Sequence, residues 1–310
     1  MLALVVSAAA VATAWEPDRS VSSLTARWAP PPSRFVEVEG LAVHVRDVGP
    51  RDDEAPLVLL HGTSASLHTW EGWVERLSPT RRVVTLDLPG FGLTGTARDD
   101  DVTVARTLVI LEALLAKLGL KQVVLGGNSY GGHLAWAYAV KHPEQVTRLI
   151  LVDAAGYPRA ERSLPLGFRL AATPGLRRLM EVLLPRGVVE QSVRNVYGDP
   201  SKVTPELVDR YFELTLREGN RRAVGLRFAQ LASPVDTAPL KTLAVPTLIL
   251  WGAKDELIPL ESGRRFDADL PDSELVVFDA LGHVPHEEDA AATAAVVLRW
   301  LAAGATERGL

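Results

Sequence analysis

Short continuous apolar runs, each ending at a glycine, an aspartate, a histidine or the serine turn described below, most constrain the fold of this chain. The runs are Leu57–Leu60, Val83–Leu86, Val123–Leu125, Leu149–Val152, Thr247–Trp251 and Leu275–Phe278. Strands that are buried on both faces look like this, because neither set of side chains meets water. Helical patterns alternate with the runs, and Val102–Leu118 is the clearest of them. This alternation predicts a parallel sheet with right-handed crossovers.

Two segments depart from the alternation. Arg34–Val38 and Val43–Val48 flank Glu39-Gly40, which predicts an antiparallel hairpin at the start of the sheet. Between Tyr157 and Asp236, prolines interrupt short helical pieces and no strand-like run leads into a helix. This segment is too long for a loop, so we interpret it as an inserted helical cap. Extra helices at the sheet edge are the alternative.

The predicted fold class is therefore α/β, with a mostly parallel sheet of about eight strands and a helical cap. Residues 1–33 are predicted to be an apolar N-terminal segment and a connector, in which Trp15–Pro32 reads as polar chain. Residues 34–156 and 237–310 are predicted to form the core, and residues 157–236 the cap.

Composition excludes several functions. The 310 residues carry a net charge of −5, which argues against a surface that binds nucleic acid. The chain has 0 cysteines, so disulfides, thiolate metal sites and a cysteine nucleophile are all ruled out. Neither a metal nor a cofactor is predicted.

The N-terminal segment Met1–Ala14 is almost wholly apolar, and Ala12-Thr13-Ala14 resembles a cleavage site, but no basic residue precedes Arg19. Three interpretations stay open: an export signal or membrane anchor, a helix packed on the protein or on a partner subunit, and a mis-assigned start. Export or membrane association is slightly favoured over a cytoplasmic location. The sequence is also compatible with a homodimer.

A nucleophilic serine is predicted at Ser129, within Gly127-Asn128-Ser129-Tyr130-Gly131. The motif follows an apolar run and precedes a helical pattern, which is the strand–turn–helix context of an exposed nucleophile. The sharp turn imposes an unfavourable backbone angle at the serine and brings neighbouring chain close. Positions two before and two after therefore cannot carry bulk, and both are glycine.

A serine hydroxyl needs a base, and the base needs an orienting carboxylate. Both should follow strands, because parallel strands end at one edge of the sheet. Asp255 lies shortly after the run that ends at Trp251 and is the favoured carboxylate. Asp153 is the runner-up, and Asp279 is a further candidate. Asp87 is expected to brace its loop by accepting backbone N–H bonds.

His283 is the favoured base, because it follows the last apolar run and Gly282 allows its loop to bend inwards. His286 is a minor alternative. His61 is expected to hold its own loop, and His133 to lie along a helix rather than over the serine. His44, His68 and His142 are expected to have structural or solvated roles.

An oxyanion hole needs two donors where negative charge develops. The backbone N–H of Tyr130, directly after the nucleophile, is one candidate, and the N–H of Thr63 is the other. The Ser64 hydroxyl is a lesser option.

Together these motifs resemble the α/β-hydrolase fold superfamily, in its capped esterase and carbon–carbon hydrolase branch. The matching stretches are His61-Gly62-Thr63, Asp87-Leu88-Pro89-Gly90-Phe91-Gly92, Gly127–Gly132, Trp251–Asp255 with Pro259, and Gly282–Glu287. The resemblance implies a metal-free serine hydrolase that forms an acyl-enzyme. A serine nucleophile argues against epoxide hydrolases and haloalkane dehalogenases. Val284 stands where the carbon–carbon hydrolases often carry tryptophan, which lowers the weight of that reaction.

The leading hypothesis is a carboxylesterase acting on a small-molecule ester with a short-to-medium apolar acyl chain. It rests on apolar side chains of the predicted cap: Leu164, Leu166, Phe168, Leu170, Leu176, Leu179, Met180, Leu183 and Phe228. The alternatives are hydrolysis of a carbon–carbon bond in a diketone acid and a binding protein of low turnover. The second reaction predicts a cap cation for the acid, with Arg159, Arg169, Arg194 and Arg227 as candidates.

Overall fold

The computed structural model of the protein describes residues 15–97, 100–158, 181–230 and 235–306. Its centre is an eight-stranded sheet with the order β1-β2-β4-β3-β5-β6-β7-β8. The strands are β1 (Arg34–Val38), β2 (Leu41–Val48), β3 (Leu57–Leu60), β4 (Val83–Leu86), β5 (Val123–Asn128), β6 (Val146–Val152), β7 (Thr247–Gly252) and β8 (Ser273–Phe278). All pairs from β4 to β8 are parallel, as the alternation of apolar runs and helices predicts.

The predicted N-terminal hairpin is confirmed. Strands β1 and β2 pair antiparallel, with Val38 opposite Leu41, so Glu39 and Gly40 alone form the turn. Both turn residues have positive φ, 53° and 77°. This is the backbone of the two-residue turn that matches the twist of a hairpin, and glycine adopts it without steric cost.

Helices cover both faces of the sheet. They are α1 (Val21–Trp28), α2 (Glu71–Leu77), α3 (Val104–Lys117), α4 (Tyr130–Lys141), α5 (Arg186–Arg194), α6 (Pro205–Thr215), α7 (Asn220–Ala229), α8 (Leu260–Asp269), α9 (Pro285–Glu288) and α10 (Ala290–Thr306). Helices α3, α4 and α8 pack on one face, whereas α2 and α10 pack on the other. Central strands are fully buried because both faces are covered.

The segment between β6 and β7 is helical where it is described, and contains α5, α6 and α7 but no strand there. Most of the apolar cap residues singled out in the sequence lie in 159–180, outside the described residues, as do Arg159 and Arg169. Leu183 and Phe228 are described, and Phe228 is buried. The division into core and cap stays a prediction.

The predicted connector contains a helix that the sequence pattern did not reveal. Ser20 accepts a bond from the N–H of Ser23 and so caps α1. Leu24 on α1 is buried in one cluster with Leu93 and Leu214, the last of these on α6. Val21, Leu24 and Trp28 are at helical spacing, but Leu24 is the one buried side chain of these eight residues, and the tertiary contact is what identifies the segment as a helix rather than a polar connector.

Candidate active site

Ser129 occupies a strained turn between β5 and α4. Its backbone has φ 53° and ψ −115°, a positive φ that side-chain-bearing residues rarely adopt, and it is 7% exposed. Three hydrogen bonds fix the turn. The Ser129 N–H donates to the oxygen of Val152 at 3.0 Å, while the Ser129 oxygen accepts from the N–H groups of His133 at 3.0 Å and Ala155 at 2.9 Å. These bonds to the surrounding structure hold the backbone of Ser129 in its strained conformation.

The flanking glycines have the steric cause that the sequence predicts. A Cβ on Gly127 would lie 2.2 Å from the oxygen of Gly131, and one on Gly131 would lie 2.1 Å from the oxygen of Leu60. Gly62 is similarly placed, since its Cβ would lie 3.2 Å from that of Ser129. The loop after β3 therefore packs directly against the serine.

His283 and Asp255 form a buried pair at the same edge of the sheet. The Nδ1 of His283 donates to Oδ2 of Asp255 at 2.6 Å. The other oxygen of Asp255 accepts from the N–H groups of Leu257 at 2.7 Å and Ile258 at 2.9 Å. With its proton on Nδ1, the neutral imidazole offers Nε2 as a base.

Asn128 joins the serine turn to the histidine loop. Its amide donates to the oxygen of His283 at 2.9 Å and to that of Val152 at 3.1 Å. No role for Asn128 was predicted from the sequence. A polar side chain at the end of an otherwise apolar buried strand was the available signal.

The two predicted oxyanion donors lie on segments that meet at Ser129. Tyr130 is the first residue of α4, so its N–H has no carbonyl partner within the helix. Thr63 is half-buried in the turn after β3, and β3 pairs with β5 so that Leu60 is opposite Gly127. The sheet thus brings the segments carrying Tyr130 and Thr63 to the serine.

Asp87 braces its loop, as expected, and lies away from the His283–Asp255 pair. It accepts from the N–H groups of Leu67 at 2.7 Å and Leu93 at 2.8 Å, and from Nδ1 of His44 at 2.7 Å. Burial acts to raise the pKa of Asp87, but the His44 imidazole, together with the nearby His68 and His61, holds it well below its usual value.

The other predicted structural histidines are engaged elsewhere. His61 donates from Nδ1 to the oxygen of Gly62 at 2.7 Å and accepts at Nε2 from the N–H of Leu88 at 2.9 Å. His133 stacks on Trp136 with ring centroids 4.8 Å apart. Burial lowers the pKa of His133 to about 4, and the Arg227 guanidinium adds to this effect.

His286, the minor alternative base, packs within a buried aromatic cluster. Its ring centroid lies 4.1 Å from that of Trp70, and Nε2 lies 3.0 Å from Oγ1 of Thr69. Burial lowers its pKa well below the usual range, and the nearby His283 contributes to this shift. The structure therefore places His286 in the core rather than beside Asp255.

Glu288 connects the histidine loop to the segment before α6. Its carboxylate accepts from the N–H groups of Gly282 at 2.9 Å, Gly198 at 2.9 Å and Asp199 at 2.8 Å. The side chain is fully buried. The role of Glu288 is not evident from the sequence, because an acidic residue near the start of a terminal helix has the pattern of a solvated one.

Glu287 makes a second connection between the end of the histidine loop and α6. Its carboxylate pairs with Arg210 of α6 and accepts from the hydroxyls of Thr69 and Tyr211. The guanidinium and the carboxylate are both largely buried. The positive charge of Arg210 is therefore balanced by the Glu287 carboxylate.

Within the described ranges, Asp153, Asp255 and His283 are the one group of His, Asp and Glu side chains close enough to hold a metal ion. The histidine nitrogen that faces Asp255 already carries the proton of a 2.6 Å hydrogen bond, so it has no lone pair to offer. The donor set fits an acid–base pair better than a metal centre.

Among residues that the structure describes, no helix is long and apolar enough to cross a membrane. The segment Met1–Ala14, on which membrane association was predicted, lies outside the described residues.

Comparison with known sequences gives a consistent family. A family model described as alpha/beta hydrolase fold matches residues 55–290. The chain is 28% identical over 260 residues to an uncharacterized hydrolase, YugF, of Bacillus subtilis, covering 83% of this chain and 93% of that protein. It is 30% identical over 269 residues to 2-hydroxy-6-oxo-2,4-heptadienoate hydrolase of Pseudomonas putida, covering 81% of this chain and 89% of that one.

Solved structures are similar over most of their length. A bacterial membrane phospholipase A superposes with a TM-score of 0.76 at 25% identity, covering 91% of this chain and 90% of that chain. An esterase from Thermogutta terrifontis superposes with a TM-score of 0.71 at 25% identity, covering 87% of this chain and 96% of that chain. The family match spans the strained serine turn, the buried histidine–aspartate pair and the parallel sheet, and the chain belongs to the alpha/beta hydrolase fold family.

Proposed function

We propose that this protein is a serine carboxylesterase that cleaves small-molecule esters of short-to-medium apolar acyl chains. The observation that carries the proposal is the 2.6 Å bond between His283 and Asp255 at the sheet edge where Ser129 occupies a strained turn. A base oriented by a buried carboxylate, at the sheet edge where a serine occupies such a turn, is the arrangement needed to activate a hydroxyl.

In the proposed reaction, Oγ of Ser129 attacks the ester carbonyl while Nε2 of His283 accepts its proton. Asp255 holds the imidazole in the required tautomer and stabilises the imidazolium. The alcohol then leaves with the proton from His283. Water, activated by the same histidine, attacks the acyl-enzyme, releases the acid and restores Ser129.

The backbone N–H groups of Tyr130 and Thr63 are the proposed donors to the oxyanion. Because they belong to a helix start and a short turn packed on the serine, they need no reorganisation when charge develops. Removing one donor of this kind costs about 10²–10³ in kcat in a serine protease. Gly62 allows the approach of the turn, since any side chain there would meet Asn128 and Ser129.

The test is hydrolysis of p-nitrophenyl esters with acyl chains of two to sixteen carbons, with and without chelator. We expect chelator-insensitive turnover that is greatest for short-to-medium chains. Ser129→Ala should reduce kcat by about 10⁶, the effect of losing the nucleophile in a related triad. Ser273→Ala, a serine on β8 bonded to Asp267, is the matched control and should retain activity. Retention of activity by Ser129→Ala would refute the proposal, as would stoichiometric binding without turnover.

Hydrolysis of a carbon–carbon bond in a diketone acid is the second candidate. It is supported by the relatives, which include 2-hydroxy-6-oxo-2,4-heptadienoate hydrolase and 2-hydroxymuconate semialdehyde hydrolase. Arg227 on α7 adds a structural argument. Its guanidinium lies 3.9 Å from the ring centroid of Tyr130 and donates from Nη1 to Oε1 of Gln230 at 2.8 Å, but no carboxylate pairs with it among the described residues. Burial lowers the pKa of Arg227, because a buried positive charge is poorly solvated. The negative charge of an anionic substrate would offset that cost.

Competition between a neutral aryl ester and a dienoic diketone acid separates the candidates. If the acid is the substrate, Arg227→Gln should reduce the ratio of kcat/KM for the acid to that for the ester by about 10–100-fold, the cost of losing a charged hydrogen bond. Arg194→Gln is the control, because Arg194 already pairs with Glu190 at 2.9 Å. A ratio unaffected by Arg227→Gln would favour the esterase.

A further inference from the structure

Asp153 is a second carboxyl group beside the histidine–aspartate pair. It follows β6 directly, between the strand that leads to Ser129 and the strand that leads to Asp255. Its side chain is fully buried and its backbone has φ 43°, in the left-handed region. The Asp153 N–H donates to the oxygen of Leu250 at 3.0 Å, which holds the residue at the sheet edge.

The two oxygens of Asp153 have different surroundings. Oδ1 accepts from the N–H of Gly252 at 3.0 Å. Oδ2 is buried and has no hydrogen-bond partner among the described residues. Carboxyl oxygens of Asp153 and Asp255 and a ring nitrogen of His283 all lie within 4.8 Å of one another. An oxygen that lacks a donor and faces a neighbouring carboxylate is the site expected to carry a proton.

The hydrogen bonds decide which carboxyl is charged. Asp255 accepts from the N–H groups of Leu257 and Ile258 and from His283, whereas Asp153 accepts from one N–H. Two adjacent buried carboxylates cannot both be ionised without a large cost, so the proton belongs on the less solvated group. Burial raises the pKa of Asp153 well above its usual value, and the charge of Asp255 raises it further.

Glu288 is a further charged group that acts on Asp153. Its own carboxylate is held by three backbone N–H groups, those of Gly282, Gly198 and Asp199, and lies 3.9 Å from the ammonium of Lys202. It therefore adds negative charge near Asp153 without supplying a hydrogen bond to it, which favours the protonated form.

We propose that Asp153 and Asp255 form a one-proton carboxyl pair that serves His283. Asp153 holds the proton and donates it in a hydrogen bond to the Asp255 carboxylate, so it acts as a positioning residue. When Asp255 cannot carry charge, Asp153 ionises and takes over as the acceptor for His283. This inference rests on the proposed catalytic role of His283.

A cycle of Asp153→Asn, Asp255→Asn and the double variant tests the pair through kcat on a p-nitrophenyl ester. Asparagine resembles a protonated aspartate, because its amide can donate to Asp255 while its oxygen still accepts from Gly252. Asp153→Asn should therefore remain within about threefold of the wild type. Asp255→Asn should lose about 10²–10³ rather than the ~10⁴ seen where no second carboxyl can substitute. The double variant should lose at least a further tenfold.

Equal costs of Asp153→Asn in the two backgrounds would overturn the proposal, because a merely structural residue acts additively. A large loss for Asp153→Asn alone would also overturn it, since the group would then be needed as an anion. Infrared difference spectra of the wild type minus Asp153→Asn at neutral pH give a readout independent of turnover. The carbonyl stretch of a protonated carboxylic acid is expected, and its absence would refute the pair. Loss of turnover in Ser129→Ala separates these outcomes from a failure of the proposed esterase function.

Discussion

The side-chain amide of Asn128 donates a 2.9 Å hydrogen bond to the backbone oxygen of His283. This bond joins the residue before the proposed nucleophile to the proposed base across 155 positions of sequence. The relative placement of Ser129 and His283 therefore depends on one buried amide, and not only on the sheet.

Asn128→Ala should lower kcat by about 10–100-fold with a smaller effect on KM, because His283 loses its tie to the serine turn. Two buried hydrogen bonds are lost as well, which should cost about 2–3 kcal/mol of unfolding free energy. Steady-state kinetics and urea unfolding measure the two effects.

Asn220→Ala is the matched control for Asn128. Asn220 is equally buried, and its amide donates to the oxygens of Gly92 at 2.9 Å and Leu214 at 2.8 Å. It should lose similar stability with a much smaller change in kcat. Equal kcat losses in the two variants would show that Asn128 acts through stability alone.

Glu288→Gln should weaken the contact between the histidine loop and the segment at Gly198. One of its two carboxylate oxygens would become an amide group facing backbone N–H donors. The expected loss is about 2–3 kcal/mol of unfolding free energy, because a buried charged acceptor is removed, and kcat/KM should fall. Glu274→Gln, an exposed site on β8, should change neither quantity. An unaltered unfolding midpoint for Glu288→Gln would contradict this role.

Gly131→Ala should prevent the serine turn from forming. A Cβ there would lie 2.1 Å from the oxygen of Leu60 and 2.6 Å from that of His61, and backbone atoms cannot move aside cheaply. We expect little folded, active protein by circular dichroism and ester hydrolysis. Gly187→Ala on α5 is the control, since nothing lies within 4 Å of its Cβ position. It should fold normally or gain up to about 1 kcal/mol from helix propensity.

Stability should fall as the pH drops below about 6.5, partly because of His68. Burial lowers the pKa of His68 to about 3, so the folded state leaves it neutral while the unfolded state protonates it. Between about pH 6.5 and 3 the unfolded state binds one more proton, and this contribution to stability decreases as the pH decreases. Its slope is about 1.4 kcal/mol per pH unit.

Urea unfolding of the wild type and His68→Gln between pH 4.5 and 6.5 measures this contribution. The variant is expected to have a lower stability at pH 6.5 but a shallower dependence on pH. His133→Gln should behave in the same way, since burial lowers the pKa of His133 to about 4. Parallel curves for the wild type and both variants would rule out this origin of the pH dependence.

The sequence by itself determined the sheet and the candidate residues at its edge. Runs such as Leu57–Leu60 and Val83–Leu86 match β3 and β4 because a strand buried on both faces leaves an uninterrupted apolar signal. The steric role of Gly127 and Gly131 could also be predicted from the sequence, because a sharp turn at the serine excludes side chains two positions before it and two after it. Ser129, His283 and Asp255 could be selected because parallel strands end at one edge.

Tertiary structure alone decided which polar groups act together. Asp153 and Asp255 both follow strands, and the sequence kept Asp153 as the runner-up, whereas the buried bond to His283 identifies Asp255 as the partner of the imidazole. Asn128 and Glu288 make contacts with segments far away in the chain, which no local periodicity encodes. The helix α1 likewise depends on packing against α6. Local patterns report burial and backbone geometry, whereas hydrogen bonds between distant segments are fixed only when the chain has folded.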